Sequence, residues 1–560
     1  MVPQVSQAHT IQTWETNDSN PAELTSHAAL YRFSSTPGLI EFGTRVWPPT
    51  AVTFHRLSPS FGTLVSGSLS ELIYSADVQP NSPRLSATLQ VRMNTNFRGA
   101  ARITFYARTP GSQTDFVSKT FLMSSGQFPA PSRSIPIDFE TVSPAPVFRG
   151  QTTTTYTVPA VYEIEVTGAT NRTWQLPSQD TNANFTYYTP LDDGFQPGDY
   201  SWRVRALDER GKPGVWSTNG SMRIFGGIDM AGFGSTTFFQ TMRNAGWSTF
   251  FAAGWGGRTI WPDARNNLIR AHNAGFKVAV YTFLNFDNGS TIGGAPANQT
   301  GAWQVDQTLA GIGFTGNKSS LPYDLKYVMI DIENRFWGSM SQADRVHRIA
   351  EACQRARNLG FWPMIYTRNE GVNQWWNDAT GSSRDFREMW LWDSKPESST
   401  AVYKDHLTLN QGVAWTPYGG WRVRGGKQYL LDVTIAGGRV DFNTWDPEVW
   451  DVNSPNPGSI NVVPANVTVA RNTDNTYKVN ITLTNSGNIE AYAVRLGNAS
   501  LGSSVSTGRT TLGMILPNGS RSGFIDFPAT AGAPGESRQL DFEIWTGNGM
   551  QTHSTWVVLP

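Results

Sequence analysis

The sequence predicts a multidomain protein of the α/β plus all-β class, in which an irregular (β/α) barrel is flanked by β-sandwich domains. Three observations predict this architecture. The chain of 560 residues is too long for a single hydrophobic core. Runs of alternating polar and apolar residues occupy both ends of the chain, which is typical of strands. In the middle, strand-like runs alternate with helical ones, which is typical of parallel βα units.

The composition excludes several classes of protein. Hydrophobic residues make up 39% and charged residues 16% of the chain, which fits compact domains and not a coiled coil or a disordered chain. Lys plus Arg equals Asp plus Glu at 44 each, so we expect no surface for nucleic acid. No apolar run approaches about 20 residues, and the start lacks the regions of a secretory signal. We therefore expect neither membrane insertion nor a signal peptide.

The N-terminal part of the chain predicts a β-sandwich. Residues 85–93 and 101–107 alternate between polar and apolar side chains, and Pro, Gly, Ser and Asn interrupt the sequence around them. This pattern predicts an N-terminal β-sandwich with an irregular leader over residues 1–142.

A second, smaller β-sandwich is predicted over residues 143–224. Its clearest strands are the alternating runs at 161–166 and 200–206. The later strand, followed by the Gly-Val-Trp-Ser segment at 214–217, resembles the late strands of a fibronectin type III domain. The resemblance implies a spacer or adhesion role for this domain.

Residues 225–452 predict a TIM-like (β/α) barrel. A clear helical pattern covers residues 341–359, where Ser341 can cap the helix and Gly360 can end it. The strand candidates of this region are residues 249–253, 277–283, 327–332, 362–366 and 388–392.

The last part of the chain predicts a third β-sandwich, over residues 453–560. A linker-like segment rich in Asn, Ser and Pro opens it at 453–458. Alternating runs such as 477–483 follow.

Acidic residues follow or end the predicted barrel strands. An apolar run leads directly into Asp331 and Glu333, which share one side of an extended chain. Asp229 and Asp441 also come directly after apolar runs. Any one of these acids can equally well cap a turn or lie in solvent. Four of them at strand ends of one barrel predict a carboxylate site, which is what glycoside hydrolysis requires.

The barrel region, residues 225–447, resembles the family 25 glycoside hydrolases, the lysozymes that cut peptidoglycan. Three motifs carry the resemblance in the family's order, and Tyr281, Tyr366, Trp392 and Gln428 lie at supporting positions between them. The motifs are an opening Gly-Ile-Asp ending at Asp229, an Asp-x-Glu formed by Asp331 and Glu333, and a closing Val-Asp-x-Asn containing Asp441 and Asn443.

The resemblance implies hydrolysis of the β-1,4 bond between N-acetylmuramic acid and N-acetylglucosamine. By this resemblance Glu333 is the general acid, and Asp331 is the carboxylate closest to the reacting sugar. Asp229 and Asp441 complete an acidic floor. Two roles for Asp331 stay open, because it can attack the anomeric carbon or orient an attacking acetamide group of the substrate. No metal or organic cofactor is implied.

Substrate contacts are predicted from the same motifs and from nearby aromatic residues, since indole and phenol rings stack on sugars. The predicted substrate-binding residues are Tyr281, Tyr366, Trp392, Trp337, Trp255, Gln428 and Asn443.

The leading hypothesis is a phage peptidoglycan hydrolase. Two predicted sandwiches precede the barrel, which favours a tail-associated protein over a free lysin. Its partners would be the bacterial cell-wall glycan and other virion tail proteins bound through the sandwiches. It would act in the virion or outside the cell at the bacterial wall. Two alternatives stay open: a non-catalytic glycan-binding adhesion protein of the tail, and a hydrolase of another cell-surface polysaccharide.

Overall fold

The structure, a computed structural model, describes strands within residues 10–125 and most of the chain from Phe128 onwards. Residues outside the description are 1–9, 18–22, 32–37, 48–51, 60–62, 68–70, 79–83, 94–98, 109–114, 126–127, 153–160, 178–183, 208–210, 212, 288–298, 334–337 and 396–414. Two compact units result. They are Met1–Pro136 with Phe148–Tyr187 and Tyr200–Ser221, and Ile137–Val147 with Tyr188–Asp199 and Met222–Pro560.

The N-terminal part of the first unit consists of antiparallel sheets. Its strands are β1 (Thr10–Asn17), β2 (Glu23–Tyr31), β3 (Gly38–Trp47), β4 (Val52–Pro59), β5 (Thr63–Gly67), β6 (Glu71–Val78), β7 (Arg84–Met93), β8 (Gly99–Arg108) and β9 (Asp115–Ser125). One sheet has the order β1-β2-β7-β4 and the other β5-β6-β3-β8-β9. The alternating runs at 85–93 and 101–107 lie in β7 and β8, so these two strand predictions are confirmed.

Further strands occupy the chain between residues 132 and 224. They are β10 (Ser132–Ile135), β11 (Glu140–Val142), β12 (Val147–Gln151), β13 (Val161–Thr167), β14 (Arg172–Pro177), β15 (Asn184–Tyr188), β16 (Gly198–Leu207) and β17 (Gly220–Ile224). β13 pairs antiparallel with both β14 and β16. Tyr162, Ile164 and Val166 alternate along β13 and are buried, as a half-buried strand requires. The three boundaries between the four domains predicted from the sequence stay predictions.

Eight strands of the second unit close a barrel. In chain order its elements are β18 (Gly226–Met230), α1 (Thr236–Asn244), β19 (Thr249–Gly256), α2 (Ala264–Asn273), β20 (Lys277–Phe283), α3 (Gly301–Gly311), β21 (Leu325–Asp331), α4 (Gln342–Asn358), β22 (Trp362–Thr367), α5 (Trp375–Thr380), β23 (Leu391–Ser394), β24 (Gly426–Ile435), β25 (Gly438–Trp445) and α6 (Pro447–Trp450). Strands β18 to β24 run parallel, whereas β25 is antiparallel to both β24 and β18.

The closed barrel confirms one part of the predicted fold class, and two features define its irregularity and its setting. The described chain as a whole is mostly strand with few helices. The last two barrel strands form a hairpin, because Ala436 and Gly437 both have positive φ, at 49° and 80°, which gives the tight turn that joins antiparallel strands. An antiparallel closing strand departs from the regular alternation of a TIM barrel.

The structure also tests the helix and strand bounds predicted within the barrel. The helix predicted over 341–359 is α4, and the Ser341 side chain accepts a hydrogen bond from the Asp344 amide as its N-cap. Gly360 follows the helix with a φ of 85°. The strand predicted at 388–392 begins later, at Leu391, because the preceding residues up to Met389 form turns.

Alternate residues of the barrel strands belong to two different cores. The ring centroid of Phe250 lies 4.9 Å from that of Phe239 of α1, in the core between strands and helices. The next residue, Phe251, packs with Trp392 at 4.8 Å and Trp445 at 5.0 Å, in the core inside the barrel. Because both faces of the strands are covered, β19 is buried along almost its whole length.

The C-terminal part of the second unit is again built of strands. They are β26 (Val462–Arg471), β27 (Tyr477–Asn485), β28 (Ala491–Leu501), β29 (Ser504–Val505), β30 (Gly508–Arg509), β31 (Thr511–Ile515), β32 (Ser520–Phe527), β33 (Ser537–Thr546) and β34 (Gly549–Val558). One sheet has the order β26-β27-β32-β30 and the other β29-β28-β33-β34, with β31 beside β28. Arg357 of α4 forms an ion pair of 2.6 Å with Glu490, which joins the barrel to this part. Among the described residues, no helix has the length and apolarity needed to cross a membrane.

Candidate active site

Acidic side chains gather in one cleft of the barrel. β21 ends at Asp331, and Glu333 follows two residues later. Asp229 of β18 lies directly opposite Asp441 of β25. The wider part of the cleft has a volume of about 500 Å³ and is lined by Asp331, Glu333 and Asp441. Its inner part is lined by all four acids together with Tyr281, Tyr366, Trp392 and Gln428.

The side chain of Gln428 links the residues at the bottom of the cleft. Its Nε2 donates to Asp229 Oδ1 at 3.1 Å and to Asp441 Oδ2 at 3.2 Å. Its Oε1 accepts from the Tyr366 hydroxyl at 2.8 Å. Gln428 is 2% exposed, so these bonds form away from water. A single amide therefore fixes the positions of two acids and one phenol.

Asn443 and Trp392 support this arrangement from below. Asn443 Nδ2 donates to Asp229 Oδ1 at 2.7 Å, and Trp392 Nε1 donates to Asn443 Oδ1 at 2.7 Å. Asn443 is fully buried, and Trp392 is 2% exposed with Phe251 and Tyr366 against its ring. We therefore interpret both residues as supports for Asp229 and not as surfaces on which a sugar stacks.

Burial is the main cause of the raised pKa values of the two facing acids. It raises the pKa of Asp229 to about 6, although hydrogen bonds from Asn443 and Gln428 act in the opposite direction. Burial, together with the nearby charge of Asp229, raises the pKa of Asp441 to about 8. Near neutral pH the pair therefore holds about one proton between its two carboxyl groups.

The two tyrosines of the cleft remain protonated. Burial, followed by the charges of the surrounding acids, raises the pKa of Tyr281 and Tyr366 well above the usual tyrosine value. Both phenols can therefore donate hydrogen bonds at any physiological pH.

The backbone fixes the segment that carries the other two acids. Asp331 is buried, and Glu333, which follows it, is only partly buried. Between them, the Ile332 amide donates to the Tyr366 carbonyl at 2.9 Å, and its carbonyl accepts from the Thr367 hydroxyl at 3.0 Å. The chain beyond β21 is thereby held against β22. One acid is desolvated while the other reaches the solvent side of the cleft.

Not every predicted aromatic contact reaches the cleft. Trp255 is 3% exposed, its Nε1 donates to Gln304 at 3.2 Å, and its ring packs edge-on against Trp303. Trp255 therefore belongs to the core, which corrects the prediction that it contacts the sugar. Trp337 lies outside the described residues.

The sequence analysis missed several cleft-lining residues, among them Trp261, Arg368 and Trp375. Trp261 follows β19 and is 37% exposed, and Arg368 directly follows β22. The Nε atom of Arg368 is buried without a hydrogen-bond partner among the described residues. The signal that could have found them is the one used for the acids, because all three follow parallel strands of the barrel.

The chemistry available to the site is that of acids and phenols. In the described part of the chain, no group of three or more His, Cys, Asp or Glu side chains is arranged to hold a metal ion. The cleft combines a solvent-facing acid, a buried acid and protonated phenols, which suits proton transfer to and from a bound polar substrate.

One comparison with known protein families bears on this cleft. The family model described as Lysozyme-like protein 1 matches residues 221–429. The matched segment contains Asp229, Asp331, Glu333 and Gln428 and ends before Asp441. No curated protein matches the chain.

Two of the solved structures that match this chain are similar to it only at a low level. A segment of two fibronectin type III domains from chicken tenascin is 10% identical, covers 39% of this chain and 99% of its own, and has a TM-score of 0.15. The fibronectin(III)-like modules of Clostridium thermocellum CbhA are 12% identical, cover 38% of this chain and 93% of their own, and have a TM-score of 0.16. These similarities decide neither fold nor function. The family match over residues 221–429 supports a lysozyme-like domain in this part of the chain.

Proposed function

We propose that this protein is a peptidoglycan hydrolase that cleaves the β-1,4 bond between N-acetylmuramic acid and N-acetylglucosamine. The observation that carries the proposal is the convergence of Asp229, Asp331, Glu333 and Asp441 in one cleft of the barrel. The lysozyme-like family match over the same region supports it.

In the proposed reaction Glu333 is the general acid. Its partial exposure lets it reach the glycosidic oxygen of a substrate bound in the cleft and donate a proton as the bond breaks. Asp331, which is buried beside it, stabilises the positive charge that develops at the anomeric carbon. Direct attack by Asp331 and attack by a substrate acetamide oriented by Asp331 are both compatible with this position.

The remaining polar groups prepare the cleft for this step. Gln428 and Asn443 hold Asp229 in place, and the shared proton of Asp229 and Asp441 limits the negative charge beneath the substrate. The phenol of Tyr281 can donate a hydrogen bond to a carboxylate or a sugar oxygen, whereas the Tyr366 hydroxyl, which donates to Gln428, can accept one from a sugar hydroxyl. The site is therefore fixed before the substrate arrives, which lowers the cost of reorganisation.

We further propose that the protein is tail-associated in a phage, where it opens the cell wall at infection. Strand-rich segments before and after the barrel in the sequence support this setting, because such modules can attach an enzyme to a larger assembly or to the wall. In this proposal the barrel is a family 25 glycoside hydrolase, and the segment over 143–224 is a fibronectin type III-like spacer. Other tail proteins would bind the strand-rich domains.

The test is turnover of purified peptidoglycan by the full chain, measured as the release of reducing ends. Glu333→Gln keeps the shape of the side chain but cannot donate the proton, so we expect turnover to fall by about 10²-fold or more while binding persists. Glu448→Gln is the matched control, because Glu448 is exposed and lies on α6, outside the cleft. Binding without product from the wild-type chain would support the adhesion alternative instead.

A further inference from the structure

A second cavity of about 740 Å³ lies beside the catalytic cleft and plays no part in the proposed reaction. We propose that this cavity binds the anionic stem peptide that the muramic acid of peptidoglycan carries. The inference rests on the proposed function, because it names the part of the same substrate that extends beyond the sugar chain. We call the cavity the arginine pocket, after Arg384, Arg387 and Arg422, which line it.

Positive charge dominates the lining of the arginine pocket. Arg384, Arg387 and Arg422 are all exposed, and no acidic side chain is among the described residues that line the cavity. The guanidinium groups of Arg384 and Arg422 have no hydrogen-bond or ion-pair partner within the described part of the chain, whereas Arg387 contacts Glu388 at 3.2 Å. Guanidinium groups bind carboxylates through paired hydrogen bonds, so the lining is suited to an anionic ligand.

The floor of the pocket is preformed. Gly420 has a φ of 86°, and a side chain there would meet the Cβ atoms of Arg387 at 3.0 Å and Arg384 at 3.3 Å. The next residue, Trp421, is buried, donates from Nε1 to the Met389 carbonyl at 2.8 Å and holds the floor in place. The arginines therefore project from a rigid base, which reduces the entropy lost when a ligand binds.

Two pairs of consecutive residues connect the arginine pocket with the catalytic cleft. Arg368 lines the cleft and the next residue, Asn369, lines the pocket. On the neighbouring strand Ser394 lines the cleft, and the preceding residue, Asp393, accepts a 2.7 Å hydrogen bond from Tyr418, which lines the pocket. The cleft and the pocket therefore lie within one residue of each other along the chain at the ends of β22 and β23, and Arg368 adds a positive charge on the cleft side.

The size and polarity of the pocket favour a peptide. A volume of about 740 Å³ is within the range of sites that enclose ligands of several hundred daltons. Asn369 Oδ1 accepts from the Asn377 amide at 3.1 Å, which leaves its NH₂ group to donate to a peptide carbonyl. Stem peptides combine amide groups with free carboxylates and are attached at the muramic acid. A phosphodiester polymer of the wall offers charge but neither amides nor attachment at the reacting sugar.

The test measures binding by calorimetry to the full chain carrying Glu333→Gln, which prevents turnover. The probes are a disaccharide with its stem peptide, the same disaccharide without the peptide, the free stem peptide and a short polyglycerol phosphate. We expect the peptide to improve affinity by about tenfold or more. Adding Arg384→Gln and Arg422→Gln should reduce this advantage to about twofold or less, whereas the matched control Arg471→Gln, an exposed arginine on β26, should retain it.

Three outcomes overturn the inference: equal affinity for the two disaccharides, an advantage that survives the double substitution, or polyglycerol phosphate binding as tightly as the free peptide. The last outcome assigns the pocket to a wall polyanion instead. Failure of the proposed function is distinguishable from these results. It would show as no turnover of peptidoglycan by the wild-type chain, whatever the free stem peptide does at the arginine pocket.

Discussion

Asp229 and Asp441 lie directly opposite each other on antiparallel strands, and the side-chain amide of Gln428 donates to both of their carboxyl groups. Two like charges at such a position repel each other. A shared proton and a bridging amide donor remove most of that repulsion. The floor of the cleft is therefore a coupled unit of three side chains, and its stability depends on the proton that it holds.

The stability of the barrel should fall as the pH rises. The folded-state pKa of Asp441 is raised to about 8 from 3.8, so between these values the folded chain binds more protons than the unfolded chain. The stabilisation that comes from protonated Asp441 is complete below the unfolded pKa of 3.8 and is lost as the pH rises through the folded pKa of about 8. We expect a slope of up to about 1.4 kcal/mol per pH unit. Urea unfolding at pH 5, 6.5 and 8 should show this dependence of the free energy of unfolding on pH. The slope should be smaller in Asp441→Asn. Equal slopes in both proteins would contradict the assignment.

Gln428→Glu should destabilise the barrel strongly. The change removes both hydrogen bonds to the acids and adds a third carboxyl group between them. A buried charge without a partner costs about 3–5 kcal/mol, so we expect a loss of that order in the free energy of unfolding at pH 8. Gln551→Glu, at an exposed position of β34, is the matched control and should change stability little. A small loss at Gln428 would show that the amide does not bridge the two acids.

Trp392→Phe should lower turnover, although Trp392 is buried. The change removes the hydrogen bond to Asn443 and leaves a buried amide oxygen without its donor, which costs about 1–3 kcal/mol of stability. Trp376→Phe is a close match, since Trp376 is fully buried and donates to the Ser383 carbonyl, away from the cleft. Both variants should lose stability, but only Trp392→Phe should lower kcat. A similar loss of kcat in both variants would show that Trp392 contributes only through packing.

Trp261 should contribute to substrate binding. It is 37% exposed on the wall of the cleft, where its ring is available for a sugar. We expect Trp261→Ala to raise KM by about threefold to tenfold with little change in kcat, and Trp261→Phe to retain most of the affinity. Steady-state kinetics on soluble glycan fragments would measure this. An unchanged KM in the alanine variant would place the sugar elsewhere in the cleft.

The acids of the site could be predicted from the sequence because their positions follow from strand geometry. Asp331 and Glu333 come at the end of an apolar run, and the ends of parallel barrel strands meet at one face. Helix α4 was predictable for a similarly local reason, since Ser341 caps it and Gly360 follows it.

The aromatic residues could not be placed in the same way. Trp255 and Trp392 lie on strands beside the motifs, but burial depends on packing partners such as Trp303 and Phe251, which are distant in sequence. The closing hairpin was signalled by Ala-Gly at 436–437 between two alternating runs, and its meaning became clear only with the strand order. Pairing across the barrel likewise brings Gln428 between two acids that the sequence places far apart.

The most direct measurement is the identity of the new reducing end in products of the full chain. Peptidoglycan digested by the protein is reduced with borohydride and analysed by mass spectrometry. The account predicts reduced muramic acid in the products of the wild-type chain and a yield lower by about 10²-fold or more in those of Glu333→Gln. Reduced glucosamine from the wild-type chain, or an undiminished yield from the variant, would contradict it.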